Sequence, residues 1–229
     1  MKIPISKRLL ACAACVCPGA RVADVGTDHG YLGVFLLRQG IASSVTASDL
    51  REKPLRTARE NAARFGVEAR MRLICCDGLS AIDPASVDTV VCAGMGADCI
   101  CEILRMAPWL RDSTYRLILQ PQSSGQDLRR WLTESGFSIL QETLAEDGGF
   151  LYTVLEARYG GAQRLTPGQQ FLTPQLLNSR SPLLSRYRAR LVASMEKTVA
   201  GIRQGGGDKE KLCYYETALR ELLEREESI

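Results

Sequence analysis

The sequence has only one histidine, and the excess of basic over acidic residues is no more than three charges in 229 residues. It also lacks an apolar run that approaches the roughly 18 residues of a membrane span. The amino-terminal segment carries no signal-peptide core with a cleavage site. These absences argue against a membrane protein or a secreted one, and we expect a cytoplasmic chain that is a monomer or a weak dimer.

The scarcity of histidine also limits metal chemistry. Nine cysteines are present, an odd number, and Cys12 and Cys15 form a CxxC pair. A structural zinc site needs four ligands, of which this pair would supply two. The single histidine, His29, lies in a glycine-containing turn that already has another predicted role. We therefore predict no metal site and expect most of the cysteines to be small buried hydrophobic residues.

The chain has no closely spaced set of three glycines of the kind that cradles a pyrophosphate. A strand at 21–26 instead runs into the turn Gly26-Thr-Asp-His-Gly30, and an apolar helix follows from Tyr31 to Arg38. About twenty positions further on, a second strand ends at Asp49, where nucleotide-binding sheets place a carboxylate on ribose hydroxyls. The acidic turn would repel phosphates but suits the positive sulfonium of S-adenosylmethionine. A nicotinamide cofactor and a turn that binds nothing are the alternatives.

Strands and helices alternate with short connections, which predicts a parallel sheet covered on both faces. The predicted strands are 21–26, 44–49, 70–75, 87–93 and 115–120, and the predicted helices are 31–39, 54–65, 97–106 and 125–135. Two strand-like runs, 137–144 and 150–156, are joined by only five residues, so we expect an antiparallel hairpin. An α/β sheet that ends in this way is typical of class I (Rossmann-like) methyltransferases and argues against a dehydrogenase.

Ligands of such sheets lie beyond the carboxyl ends of the strands. On this basis the residues assigned to the cofactor are Asp24, Gly26, Thr27, Gly30, Asp49, Leu50, Asp77, Gly78, Ala93 and Gly94. The residues expected to wall a pocket for a substrate base are Met95, Gly96, Gln120 and Pro121. For Asp77 the alternative is a turn-forming Asp-Gly pair, and for the small loop 93–97 it is close helix packing.

The tail carries two apolar stripes with helical spacing, Leu184 to Ile202 and Leu212 to Leu222, separated by Gly205-Gly-Gly207. We expect an antiparallel helical pair, a small coiled-coil domain at 160–229 after a catalytic domain at 1–159. Six of the seven charges in 180–203 are basic, and this stripe is a candidate contact for a phosphate backbone. Arg186 and Arg190 are the residues of this stripe that we expect to contact the RNA. The alternative is that the stripe is only a solvated helix face. The cluster Arg51, Lys53, Arg56 and Arg59 is a second candidate.

Several short sequence motifs follow one another between Ser6 and Arg158. They are Ser6-Lys-Arg-Leu, Ala23-Asp-Val-Gly-Thr-Asp-His-Gly-Tyr-Leu32, Asp77-Gly-Leu, Ala93-Gly-Met-Gly and Arg116-Leu-Ile-Leu-Gln-Pro121. Together they resemble the bacterial tRNA (adenine(22)-N(1))-methyltransferase family. The resemblance implies a class I methyltransferase domain, a helical coiled-coil domain, S-adenosylmethionine as the donor and N1-methyladenosine in the D-arm of tRNA as the product. The sequence departs from the family pattern at three places. The family usually has Ser-Asp-His-Ala-Tyr-Leu-Pro at the first motif, Gly-Pro in place of Lys53-Pro54, and glycine in place of Ala97.

The chemistry implied by this resemblance needs alignment more than a strong base, because the methyl group is already activated on sulfur. Methylation at N1 leaves a positive charge on the base, which a nearby carboxylate would stabilise. Asp28 is the candidate, with His29 orienting it and Tyr31 stacking, although His29 and Tyr31 could equally be structural. A small-molecule methyltransferase and a non-catalytic RNA-binding protein are the rival functions.

Overall fold

The computed structural model describes residues 2–161, 163–205 and 208–224. Its centre is a seven-stranded sheet with the order β3-β2-β1-β4-β5-β7-β6. The strands are β1 (Ala20–Val25), β2 (Ala42–Asp49), β3 (Met71–Cys75), β4 (Thr89–Met95), β5 (Arg116–Pro121), β6 (Phe137–Asp147) and β7 (Phe150–Tyr159). The first five strands are parallel and the last two are antiparallel to their neighbours, which confirms the predicted sheet.

Nine α-helices are found within the described ranges: α1 (Lys7–Ala14), α2 (Tyr31–Arg38), α3 (Glu52–Arg64), α4 (Ala97–Arg105), α5 (Gly125–Glu134), α6 (Pro167–Phe171), α7 (Pro174–Asn178), α8 (Leu184–Gln204) and α9 (Lys209–Glu224). The four crossover helices agree with the predicted spans within two residues. Helix α3 begins before Pro54 because proline in the first helical turn removes no intrahelical hydrogen bond.

The β6–β7 hairpin turns through Gly148 and Gly149 alone, and both have positive φ values, +57° and +82°. Two residues in this conformation form the tight turn that matches the twist of paired strands. The strands are therefore longer than predicted, since residues 145–147 belong to β6 rather than to the connection.

Two apolar layers cover the sheet. One packs α4 and α5 against the face that carries Leu117 and Leu155, and the other packs α1 and α2 against the face that carries Ile118 and Val154. Burial on both faces explains the continuous apolar runs of the central strands, at 90–93 in β4 and 117–119 in β5. The edge left open by these layers is the carboxyl end of β1, β2 and β4.

The tail forms a third apolar cluster, in which α6 to α9 surround Phe171 and Leu176 together with Leu144 of β6. Arg203 of α8 pairs with Glu216 of α9, and Arg188 donates to the carbonyl of Leu222. Both contacts require the predicted antiparallel arrangement. Of the predicted glycine break, Gly206 and Gly207 lie outside the described residues.

The short helices α6 and α7 were not anticipated from the sequence. Each begins after a threonine that caps it, Thr166 and Thr173, with proline at the first helical position. They join the tail to β6, and Thr173 donates a hydrogen bond to Glu142 there at 2.6 Å. The division into domains at residue 159 stays a prediction, because the segments on either side share this contact.

One expectation about the cysteines is wrong. All nine are free thiols, but only Cys12, Cys92 and Cys101 are buried, and four are exposed. Of the exposed ones, Cys75 ends β3, Cys17 lies in the connection after α1, and Cys99 and Cys213 lie on the solvent-facing sides of α4 and α9. No helix within the described ranges is long and apolar enough to cross a membrane.

Candidate active site

The turn after β1 is held by two of the predicted residues. Asp24 is buried, and the hydroxyl of Thr27 donates to its Oδ2 atom at 2.6 Å. Burial raises the pKa of Asp24 to about 6, and the hydrogen bonds from Thr27 and from the Gly33 backbone oppose that shift. The Thr27 amide donates to the carbonyl of Ser48 on β2. These contacts fix the turn against both neighbouring strands.

Two glycines of this turn have different reasons for being glycine. Gly30 has φ +73° and precedes α2, and a Cβ atom there would lie 2.9 Å from Cβ of Ala58 on α3. Gly26 has φ +68°, and a Cβ atom there would meet the thioether of Met95 at 3.4 Å. Gly30 therefore allows α2 and α3 to pack closely. Gly26 allows the side chain of Met95 to lie directly over the carboxyl end of β1.

Asp49 ends β2 beside the turn, as predicted. Its carboxylate accepts hydrogen bonds from the backbone amides of Asp28 at 3.3 Å and Arg51 at 3.0 Å. Only 9% of Asp49 is exposed, while the next residue, Leu50, is 68% exposed. The fixed carboxylate of Asp49 suits the hydroxyls of a ribose, and the exposed apolar side chain of Leu50 suits the flat face of a nucleobase.

The Asp-Gly pair after β3 divides between two roles. Asp77 is exposed at the carboxyl edge, where its carboxylate can reach a ligand. Gly78 has φ +53°, and its carbonyl accepts from Ser48 at 3.0 Å. A Cβ atom at Gly78 would lie 3.1 Å from Ile103 of α4, so this glycine serves close packing.

The end of β4 is tied to α1 through Gln120. The Oε1 atom of this buried side chain accepts from the Gly94 amide at 3.1 Å and from the guanidinium of Arg8, and its Nε2 atom donates to the carbonyl of Pro121 at 2.7 Å. Ala93 lines the same region. Since its amide oxygen and nitrogen are both engaged, Gln120 is suited to positioning Arg8 and Gly94 rather than to binding a base itself.

The remaining residues of the expected base pocket lie in one row along the edge. Met95 ends β4 with its side chain over Gly26, Gly96 precedes α4, and Pro121 ends β5. The loops also touch one another, because the Gln122 amide donates to the carbonyl of Met95 at 2.8 Å. The structure thus brings together the predicted residues from the ends of β4 and β5.

The three predicted catalytic residues follow one another around the turn. Asp28 is a non-glycine residue with φ +52°, and its side chain is 67% exposed. Its Oδ2 atom lies 3.7 Å from Nε2 of His29, and the His29 ring centre lies 6.0 Å from that of Tyr31. A left-handed non-glycine residue is strained, and such strain is concentrated at functional sites.

A small cavity connects these groups. It has a volume of about 80 Å³ and is lined by Asp24, Gly26, Thr27, Asp28, His29, Tyr31, Ala93, Arg8, Leu9 and Leu32. Seven of these ten residues were predicted as site residues. Arg8 was missed, because its partner Gln120 lies 112 positions away in the sequence. The only sequence signal for Arg8 was its position in the motif Ser6-Lys-Arg-Leu.

The two predicted RNA contacts of the tail differ from each other. Arg186 pairs with Glu146 at the end of β6, with 2.7 Å between Nη2 and Oε1. Arg190 is exposed and forms no ion pair with any residue that the structure describes. The basic stripe is therefore partly neutralised by the protein itself, and Arg190 is the better candidate for a phosphate contact.

Within the described ranges, no group of three or more His, Cys, Asp or Glu side chains is placed to hold a metal ion. The chemistry of this edge is set by the carboxylates of Asp24, Asp28, Asp49 and Asp77, together with a histidine, a tyrosine and a guanidinium. Such groups can bind a nucleoside, position a base and stabilise positive charge.

Comparison with known proteins agrees with this geometry. The profile of a family described as methyltransferase domain matches residues 5–155. The tRNA (adenine(22)-N(1))-methyltransferase of Bacillus subtilis is 31% identical over 159 residues, which cover 69% of this chain and 67% of that protein.

Two solved structures extend the likeness through the tail. The B. subtilis m1A22 tRNA methyltransferase TrmK has a TM-score of 0.81 at 25% identity, covering 99% of this chain and 97% of the other. Sp1610 of Streptococcus pneumoniae, in complex with S-adenosyl-L-methionine, has a TM-score of 0.81 at 30% identity, covering 94% and 99%. The chain therefore belongs to the methyltransferase-domain family and, within it, to the bacterial tRNA (adenine(22)-N(1))-methyltransferases.

Proposed function

We propose that this protein transfers a methyl group from S-adenosylmethionine to N1 of an adenine in tRNA, at position 22 in the D-arm. The observation that carries the proposal is the single edge at which the Asp49 carboxylate, the strained turn at Asp28 and the loop after β4 meet. A tRNA substrate is consistent with a cytoplasmic reaction. A monomer or weak dimer remains our prediction for the oligomeric state.

The residues at this edge fit S-adenosylmethionine. Asp49 would accept from the ribose hydroxyls, Leu50 would cover the adenine face, and Asp77 would accept from the adenine amino group. Gly26, Ala93 and Gly94 would leave room for the remainder of the molecule, with Asp24, Thr27, Gly30 and Gly78 supporting the turns. When bound, this cofactor supplies a methyl group that is already activated for transfer.

The chain's own contribution to the reaction would be positioning and charge stabilisation. Asp28 would face the substrate base and stabilise the positive charge that methylation leaves on it, or accept a proton from its amino group. His29 would orient that carboxylate, since the Asn61 side chain holds its backbone carbonyl at 2.9 Å and leaves the ring free to turn toward Asp28. Tyr31 would stack on the base.

The base must leave its stack before N1 becomes accessible. Met95, Gly96 and Pro121 would then form the wall of its pocket, with Gln120 keeping Arg8 in place beside it. Arg186 and Arg190 would contact the phosphate backbone on the side of the tail.

The test is to incubate the protein with labelled S-adenosylmethionine and bulk tRNA from a strain that lacks this modification, and to map the labelled nucleotide. We expect N1-methyladenosine at position 22. Labelling of free metabolites in place of tRNA would support a small-molecule methyltransferase. Failure to bind the donor at all would support a non-catalytic RNA-binding protein.

A further inference from the structure

The tip of the β6–β7 hairpin carries an exposed aromatic residue that the proposed reaction does not use. Phe150, the first residue of β7, is 59% exposed. Its ring centre lies 6.5 Å from that of the half-buried Tyr152 on the same strand. An exposed phenylalanine alone needs no explanation, but here it adjoins a second aromatic ring and leads toward the active site.

The strand register places this pair at the carboxyl edge of the sheet. Leu155 of β7 lies opposite Leu119 of β5, so the hairpin continues about three residues, roughly 10 Å, beyond the end of β5 at Pro121. The parallel strands present the candidate cofactor residues at the same edge. The tip therefore projects outward beside the mouth of the active site.

Side-chain alternation gives the direction in which the rings point. Phe150 and Tyr152 share a face of β7 with Val154, which packs in the apolar layer of α1 and α2. Arg8 of α1 confirms this, because its guanidinium carbon lies 5.9 Å from the Tyr152 ring centre. Arg8 also lines the cavity at Asp28 and Tyr31. Arg8 thus links the cavity at the catalytic turn to the two rings at the hairpin tip.

The opposite face of the hairpin belongs to the tail. Glu146 lies opposite Leu151 in the ladder and pairs with Arg186 of α8. The aromatic tip consequently stands between the active site and the basic helix. One acidic side chain, Asp147, lies opposite Phe150 and can accept a hydrogen bond from a base amino group.

We propose that Phe150 and Tyr152 form a stacking platform for an unpaired nucleotide of the tRNA next to the methylated adenine. The inference rests on the proposed function and adds a substrate contact outside the base pocket. Aromatic rings bind unstacked bases of any sequence, and Arg8 beside Tyr152 supplies a cation for the adjoining phosphate. Extraction of an adenine from an RNA arm leaves a neighbouring base unstacked, and the platform would receive that base.

The test compares variants of the full chain in tRNA binding at one fixed salt concentration. Phe150→Ala should weaken tRNA binding on the order of tenfold and leave S-adenosylmethionine binding unchanged. Phe150→Trp should retain the parental affinity. Met106→Ala is the matched control, because Met106 is 74% exposed at the end of α4, away from the carboxyl edge, and it should change nothing.

Phe150→Trp also reports stacking directly. Its added fluorescence, measured as the difference from the parent protein, should be quenched by tRNA and much less by an RNA duplex without unpaired nucleotides. Parental tRNA affinity in Phe150→Ala, or unchanged tryptophan emission on addition of tRNA, would overturn the platform while leaving the proposed function intact. A parent protein that does not methylate tRNA would overturn both.

Discussion

Arg129 of α5 and Glu142 of β6 form an ion pair that is almost completely buried, with 3.1 Å between Nε and Oε1. Burial alone would lower the pKa of Arg129, but the adjacent Glu142 carboxylate raises it above its usual value. Arg129 also donates to the carbonyl of Gln170 at 3.0 Å, and Thr173 donates to Glu142. A charged pair between α5 and β6 is thus satisfied by groups of the first helices of the tail.

Glu142→Gln should destabilise the protein by about 3 kcal/mol, because it leaves the buried guanidinium of Arg129 without a counter-charge. Denaturant unfolding measures this loss. The exposed pair between Glu102 and Arg105 is the control, since Glu102→Gln should leave the free energy of unfolding nearly unchanged. If both variants lost the same free energy of unfolding, the buried Arg129–Glu142 pair would contribute no more to stability than an exposed one.

The features that could be predicted from the sequence are those with a local signal. The alternation of apolar strands and amphipathic helices indicated the parallel sheet, and the short connection before Phe150 indicated the hairpin. The position of Asp49 followed from its distance to the glycine turn, and the structure places it against Asp28. Chain direction and strand ends were sufficient to bring these residues to one edge.

The features that could not be predicted depend on contacts between distant segments. The bonds from Arg8 to Gln120 and from Arg129 to Gln170 join positions 112 and 41 residues apart, and periodicity carries no information about them. Helices α6 and α7 have five residues each, too few for a helical pattern. The local signals that could have revealed α6 were the capping box of Thr166 and Gln169 and the proline at the first helical position.

The buried carboxyl of Asp24 should make stability depend on pH. Its pKa of about 6 in the folded protein exceeds the ordinary value of 3.8, so over this pH range the folded state holds a proton that the unfolded state releases. The free energy of unfolding should therefore fall as pH rises from about 4 to about 6, by on the order of 2–3 kcal/mol from this group.

Asp24→Asn keeps an acceptor for Thr27 and removes the titrating group. We expect the difference in stability between this variant and the parent to grow in favour of the variant between pH 4 and 6 and to level off above that range. Unfolding curves at several pH values measure it. A difference that is constant over this range would contradict the predicted ionisation of Asp24.

Asp49→Ala should weaken S-adenosylmethionine binding by about 1–3 kcal/mol, because the hydrogen bonds from the ribose hydroxyls to a charged acceptor are lost. Calorimetric titration measures the change, and circular dichroism verifies that the variant is folded. Asp83→Ala is a control at a carboxylate that caps a short helical turn away from the site. Unchanged affinity in folded Asp49→Ala would remove Asp49 from the cofactor site.

Asp28→Asn should slow methyl transfer to tRNA by a factor on the order of 100 while donor affinity changes little, because it removes a charge at nearly constant size. Single-turnover methylation separates this effect from binding and product release. Glu68→Gln, at an exposed position after α3, should keep the parental rate. A parental rate in Asp28→Asn would make Asp28 structural and assign base stabilisation to another group.

Arg190→Gln should weaken tRNA binding and reduce the slope of log affinity against log salt by about one, the amount expected for one lost phosphate contact. Arg186→Gln should have a smaller effect, because Glu146 already neutralises part of that charge. Lys211→Gln on α9 is the exposed basic control, and donor affinity should stay constant in all three variants. Parental affinity and salt slope in Arg190→Gln would show that the stripe on α8 is a solvated helix face, and would shift the expected RNA contact to Arg51, Lys53, Arg56 and Arg59.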